Sequence, residues 1–325
     1  MSAARSVAAP VSVIWPEAHR PLPAAELDAL QKRIAPGFAR LLQELQLPEH
    51  LQPLLQELYL PLSAWLAGQC PAERPLAVGI NGAQGSGKST LCRLLAFILD
   101  AGFGLKSCVL SIDDLYLTRS ERRQLANDIH PLLATRGVPG THDVALGQQL
   151  FDRLRAATAN SATALPRFDK ARDDRLAEPE WPLFRGRPDL ILFEGWCVGA
   201  TPQPPRNLRQ PVNVLEEQED AAGRWRQYVN RQLSGAYREL FARLDLLLML
   251  QIPDWSLVYR WRRRQELQLI AGNPDAPRTM DGRALRRFIM HYERLTRHQL
   301  RELPKRADLL LQLNPAQQID RIRLK

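Results

Sequence analysis

Leu27, Leu30, Ile34, Phe38, Leu41, Leu42 and Leu45 recur at mostly three- to four-residue spacing, which predicts a helix over about Ala24–Leu47 with one buried face. A second helical pattern covers about Glu49–Leu66, and Pro36-Gly37 and Pro61 are expected to kink or split the two helices. Cys70-Pro-Ala-Glu-Arg-Pro75 then breaks the pattern, so residues 1–70 read as an N-terminal helical extension and residues 71–325 as the main domain. Beyond the break the period changes. Short continuous apolar runs at Leu76–Asn81, Ser107–Ile112, Asp189–Phe193, Leu244–Ile252 and Ala307–Leu313 predict five strands, with helical stretches between them, the first at Lys88–Ala101. Strands that are apolar throughout belong to a parallel sheet covered on both faces, and ligands of such sheets gather at the carboxyl ends of the strands. Asn160–Arg187, rich in Pro, Arg and Asp, is too long for a simple connection and reads as a functional loop.

Composition narrows the class without naming a ligand. The chain has 325 residues, 45% hydrophobic and 24% charged, enough to bury a sizeable core. No stretch approaches the roughly 20 apolar residues that cross a bilayer, so no membrane association is expected. The net charge of +9 (44 basic minus 35 acidic) is mostly arginine spread along the chain. Without a nucleic-acid-binding module this disfavours a nucleic-acid partner and suits a positive cleft for a polyanionic ligand. Cys70, Cys92, Cys108 and Cys197 are scattered, with no metal or disulfide spacing, which predicts reduced thiols in a cytoplasmic protein. Pro10 and Ser12 interrupt the apolar stretch near the N-terminus and argue against a secretory signal. Nothing in the sequence speaks to oligomeric state.

The chemistry sits where the strands end. Gly82-Ala83-Gln84-Gly85-Ser86-Gly87-Lys88-Ser89 satisfies the pattern GxxxxGK[ST], followed by Thr90, between a strand and a helix. Glycines let several backbone N–H groups converge on one phosphate, and the helix adds its positive end. Lys88 is expected to reach the outer phosphates of ATP and the Ser89 hydroxyl to ligate Mg²⁺. Ser111-Ile112-Asp113-Asp114-Leu115-Tyr116 ends the second strand and offers either aspartate as the group that orients and deprotonates an acceptor hydroxyl; capping of the next segment is the competing role. Glu194, after the third strand, is placed to hold Mg²⁺ or contact the acceptor. Tyr259-Arg260-Trp261-Arg262-Arg263-Arg264 lies in a predicted lid over about residues 254–272. Helical spacing puts Arg260, Arg263 and Arg264 on one side and Arg262 elsewhere, which favours Arg260 with Arg263 or Arg264 as the phosphate-facing pair. Gly140-Thr141-His142-Asp143 and Pro166-Arg167-Phe168-Asp169-Lys170 carry polar groups suited to a small hydroxylated anion.

In combination and in this order, GINGAQGSGKSTL, SIDDLYLT, GTHD, PRFDKARDDR, LILFEGW and YRWRRRQE resemble the plant and fungal type of D-glycerate 3-kinase. That family is grouped with the P-loop kinases related to phosphoribulokinase, uridine kinase and bacterial pantothenate kinase, and the resemblance runs from about Leu76 to Ile319. It implies a three-layer α/β P-loop fold with a mainly parallel sheet in the order 2-3-1-4-5. It also implies phosphoryl transfer from MgATP to the 3-hydroxyl of D-glycerate. By the resemblance Lys88, Asp113, Glu194, Arg260 and Arg263 are catalytic, Ser89 and Glu194 hold the metal, and Asp114, Tyr116, His142, Arg167 and Asp169 bind the acceptor. Leu115 and Phe168 stand where the family carries Phe and Tyr, and Ala271–Thr279 differs in length. Two readings compete: a kinase of the same branch acting on a nucleoside, pantothenate or another hydroxylated metabolite, and a nucleotide-dependent switch or nucleic-acid-binding ATPase.

Overall fold

The computed structural model describes residues 15–272 and 281–325; the apolar stretch near the N-terminus and most of Ala271–Thr279 lie outside the described residues. The helices in chain order are α1 (Ala24–Glu44), α2 (Leu60–Gly68), α3 (Lys88–Phe103), α4 (Arg119–Asp128), α5 (Val144–Arg155), α6 (Val214–Glu219), α7 (Arg224–Ser234), α8 (Ala236–Phe241), α9 (Ser256–Gly272) and α10 (Gly282–Glu302). The strands are β1 (Leu76–Gly82), β2 (Ser107–Ser111), β3 (Ala162–Ala164), β4 (Phe168–Asp169), β5 (Asp174–Arg175), β6 (Leu183–Arg185), β7 (Leu190–Gly195), β8 (Leu246–Gln251), β9 (Leu309–Leu313) and β10 (Ile319–Leu324).

Six strands form one sheet in the order β10-β9-β8-β1-β7-β2. All neighbours pair parallel except β10, which runs antiparallel to β9 and closes an edge that the sequence reading did not include. Every residue of β1 and β7 is buried, as strands flanked on both sides and covered on both faces must be. The chain therefore has the α/β architecture with a mainly parallel sheet. Asn160–Arg187 is not a plain loop: β3 pairs β6 and β4 pairs β5, two short antiparallel hairpins nested in one excursion.

Pro36 does not split α1, which runs unbroken from Ala24 to Glu44. A proline inside a helix costs about 3 kcal/mol. Leu27, Ile34, Phe38 and Leu42 on its inner face are buried, and each contributes about 1.5–3 kcal/mol, so packing outweighs the lost hydrogen bond. Pro61 does mark a change of helical form, from a π turn at Leu55–Tyr59 to α2 with the proline in its first turn. Helices α1 and α2 pack on α3, and their apolar faces join the same core as β1, so the N-terminal segment buttresses the helix that begins in the glycine loop.

Candidate active site

The glycine loop curls between β1 and α3. Gly85 and Gly87 have φ of +80° and +92°, the left-handed region that glycine enters at no steric cost. Lys88 opens α3, and its Nζ folds back on the Ala83 carbonyl at 3.3 Å. Ala83 is buried and Thr90 half-buried along the same turn. The Gln84 amide and the Ser86 hydroxyl are buried without a hydrogen-bond partner. Unsatisfied buried polar groups are costly, and a phosphate seated in the loop is a ligand that would meet this need.

Ser89 Oγ donates to Glu194 Oε1 at 2.7 Å, joining the first turn of α3 to the end of β7. Hydroxyl and carboxylate oxygens beside a phosphate loop are the hard donor set that Mg²⁺ takes, with waters and phosphate oxygens completing its shell. The parallel register pairs Glu194 with Ser111, so the acid at the end of β7 and the aspartates after β2 rise side by side from neighbouring strands.

The two aspartates have separate partners. Asp114 accepts from the Arg167 guanidinium at 2.7 Å and from the Phe168 N–H at 3.1 Å, which ties down the strand β4. Burial raises its carboxyl, with Arg167 pulling the other way. Asp113 accepts from the Tyr116 hydroxyl at 2.9 Å and from Lys170 Nζ at 2.9 Å. Burial alone would raise Asp113, but the nearby positive charge of Lys170, with Lys88 behind it, outweighs burial and holds the carboxyl well below the usual carboxylate range. Asp114 thus ties down β4, while the charge of Asp113 is held by Lys170 and Lys88.

Around Asp113 the elements converge. Tyr116 stacks on His142, ring centroids 4.5 Å apart, and meets Phe168 edge-on at 5.2 Å. His142 Nδ1 is 2.6 Å from the Tyr237 hydroxyl while Nε2 has no partner; burial pushes the imidazole down to about 3, so it is neutral and supports Tyr116 from behind. Asp169 accepts from the N–H groups of Ala171 and Arg172 and so shapes the hairpin turn. The structure thus brings Arg167 to Asp114 and Asp169 to its own turn, and turns their neighbour Lys170 toward Asp113. Arg136, which the sequence reading did not single out, ion-pairs with Asp173 and lies 5.4 Å from the Phe168 ring. The Tyr292 hydroxyl donates to the Arg136 carbonyl at 3.3 Å. The Tyr292 phenol is raised by burial and by Asp113 and drawn back by Arg136 and Arg262.

Helix α9 faces the loop with Val258 and Trp261, both fully buried. The Trp261 indole donates to the Pro315 carbonyl at 3.2 Å, and its Cβ comes within 3.1 Å of where a side chain at Gly85 would begin. Arg262, four residues after Val258, lies on this inner side and is half-buried; Arg260, Arg263 and Arg264 are exposed, and Arg264 donates to Gln317 at 3.1 Å. Gln317 in turn donates to the Gly85 carbonyl at 2.6 Å, so α9, the β9–β10 turn and the glycine loop form one linked wall.

No family model matches the sequence. Over 271 residues the chain is 30% identical to the chloroplastic D-glycerate 3-kinase of Arabidopsis thaliana, a match covering 77% of this chain and 56% of the plant protein. The chain therefore spans little more than half the length of that relative. It is 33% identical over 233 residues to an uncharacterized kinase of Schizosaccharomyces pombe, covering 68% of this chain and 80% of the yeast protein. Among solved structures, D-glycerate 3-kinase from Cryptococcus neoformans superposes with a TM-score of 0.64 at 27% identity, covering 81% of this chain and 95% of that one. With the phosphate loop, the paired strand-end acids and these likenesses together, the chain belongs to the D-glycerate 3-kinase family of P-loop kinases.

Proposed function

We propose that the protein transfers the γ-phosphoryl group of ATP to the 3-hydroxyl of D-glycerate, giving 3-phosphoglycerate. The observation that carries this reading is the charge around Asp113. One carboxylate, placed to receive a hydroxyl, is surrounded by Lys170 at 2.9 Å and the field of Lys88, with Arg136 and Arg262 acting on the adjoining Tyr292. Cations gathered close to the reacting carboxylate suit an acceptor that brings its own negative charge next to its hydroxyl, as a short hydroxy acid does. A nucleoside or another neutral acceptor would gain nothing from that field.

The glycine loop and Lys88 hold the triphosphate. Ser89 and Glu194 would hold Mg²⁺, which when bound neutralises charge on the phosphate oxygens. Asp113 accepts the hydrogen bond of the acceptor hydroxyl and aims its oxygen at the γ-phosphorus; its low proton affinity makes orientation its main contribution and proton acceptance a late event. Arg136, paired with Asp173, adds positive charge beside Lys170. Four free thiols suit the reducing cytoplasm.

A panel of acceptors with MgATP tests the reading. D-glycerate, L-glycerate, glycerol, uridine and pantothenate are compared by ATP consumption, and the product is identified by phosphorus NMR. 3-Phosphoglycerate is expected from D-glycerate, with glycerol at least about a hundredfold poorer because it lacks the carboxylate that the positive field attracts. Equal turnover of glycerol, or a preference for uridine or pantothenate, rules the reading out.

A further inference from the structure

Lys170 is held in a way its own ion pair does not explain. Its side chain is 62% exposed and pairs with Asp113 at 2.9 Å, and an exposed pair of this kind contributes only about 0–1 kcal/mol to stability. Yet the hairpin that carries it is fastened from every side. Asp114 grips Arg167 and the Phe168 N–H. The buried Arg122 donates to the Asp173 carbonyl at 2.7 Å and pairs with its carboxylate at 3.1 Å, and Arg136 takes the same carboxylate. Asp174 accepts from the Arg119 N–H at 2.9 Å, and Arg175 reaches Asp143 at 3.0 Å. Five outside groups, Asp114, Arg119, Arg122, Arg136 and Asp143, thus hold the backbone from which the Lys170 side chain reaches Asp113.

Its ammonium binds the acceptor-side acid and feels the charge of the acid at the phosphate loop. Lys170 Nζ binds Oδ2 of Asp113, and an ionised carboxylate oxygen has two lone pairs, so the same atom can also accept the acceptor hydroxyl. The reacting oxygen and the ammonium then share one neighbour. On the other side stands Glu194, whose charge also acts on Lys170 and which accepts from Ser89 at the phosphate loop. We infer that Lys170 is a catalytic residue that contacts the transferring phosphoryl group and stabilises its charge as it passes from donor to acceptor. In that step the acceptor oxygen forms the new P–O bond as the bond from the γ-phosphorus to the bridging oxygen breaks. ADP leaves with that electron pair, the acceptor proton passes to Asp113, and Lys170 keeps all its protons. The role rests on the kinase reading above and adds to it a cation that is neither in the phosphate loop nor on α9.

The test compares wild type with Lys170→Met and Lys170→Arg, using the acceptor that the wild type turns over best. A wild type without kinase activity removes the kinase reading itself, before any variant is considered. Given an active wild type, Lys170→Met is expected to lower kcat about a hundred- to a thousandfold, as loss of one preorganised charge at a transition state does, with both KM values within about threefold. Affinity for ADP with aluminium fluoride, in the presence of acceptor, is expected to fall in parallel while ATP affinity holds. Lys170→Arg is expected to return kcat to within about tenfold of wild type, and thermal melting of both variants to stay at the wild-type temperature because the side chain is exposed. A kcat within about threefold of wild type in Lys170→Met overturns the inference. So does a rise in acceptor KM with kcat kept, which would make Lys170 an acceptor anchor instead.

Discussion

At Asp113 burial and charge oppose each other, and charge prevails. A half-buried carboxyl left to itself would hold its proton more tightly than free aspartate, whereas Lys170 and Lys88 keep it ionised. Because its folded value lies below the ordinary one, this carboxylate stays charged as pH falls through the usual carboxylate range. Asp113→Asn is expected to lower kcat about a hundred- to ten-thousandfold with the KM for ATP unchanged, read by steady-state kinetics; unaltered turnover would remove Asp113 from the reaction. The acid limb of kcat/KM should move to higher pH in Lys170→Met, since burial then acts on Asp113 with less opposition. Asp113 was legible in the sequence as one of two candidates. The structure gives the two aspartates different partners: Arg167 and the Phe168 N–H hold Asp114, while Tyr116 and Lys170 hold Asp113.

At the scale of elements, α9 shows how a run of like charges is sorted. Spacing alone puts Arg260, Arg263 and Arg264 on one side, but it does not say which side faces the site. Val258 and Trp261 decide that, since burying both turns Arg262 inward and leaves Arg260 and Arg263 in solvent. The signal was in the sequence: Arg262 follows Val258 by four and Trp261 by one. Arg262→Ala is therefore expected to reduce kcat by at least about tenfold while Arg260→Ala stays within about twofold; the reverse order in a kinetic comparison would show that α9 turns when substrates bind. The β4–β5 hairpin had a weaker signal. Two-residue strands have no detectable alternation, and the cations that fasten it, Arg122 and Arg136, come from elsewhere in the chain.

Across the described residues, three buried histidines, His142, His291 and His298, each lowered by burial, set a response to acid. Burial pushes His142 down to about 3 and His291 down to about 4 from an ordinary 6.5, so both are neutral in the native state. In the unfolded chain each takes up a proton below about pH 6.5. The unfolded state then binds more protons, and stability falls as pH drops from about 6.5 toward the folded values, by about 1.4 kcal/mol per pH unit for each histidine. His291 lies away from the glycine loop, packed edge-on to Trp225 at 5.8 Å. Denaturant melts between pH 6 and pH 5 should show His291→Gln losing stability with a shallower slope than the wild type, since one of the contributing histidines is gone. An unchanged slope would mean that His291 is protonated in the native state.

The sequence by itself determined the phosphate loop, the five parallel strands and the acids at their ends, because each is written in a short contiguous stretch. A glycine pattern between strand and helix, or an apolar run of five to seven residues, needs nothing distant to be read. The tertiary structure decided which atoms meet. Ser89 finds Glu194, Lys170 finds Asp113, and Trp261 finds Pro315, each across a long separation in the chain. Such pairs depend on parallel register and on the way α1 and α9 pack, and these depend on the whole core being formed at once. Pro36 stays helical and Arg262 turns inward for the same reason: packing free energy summed over many buried side chains exceeds the local preference of any one residue.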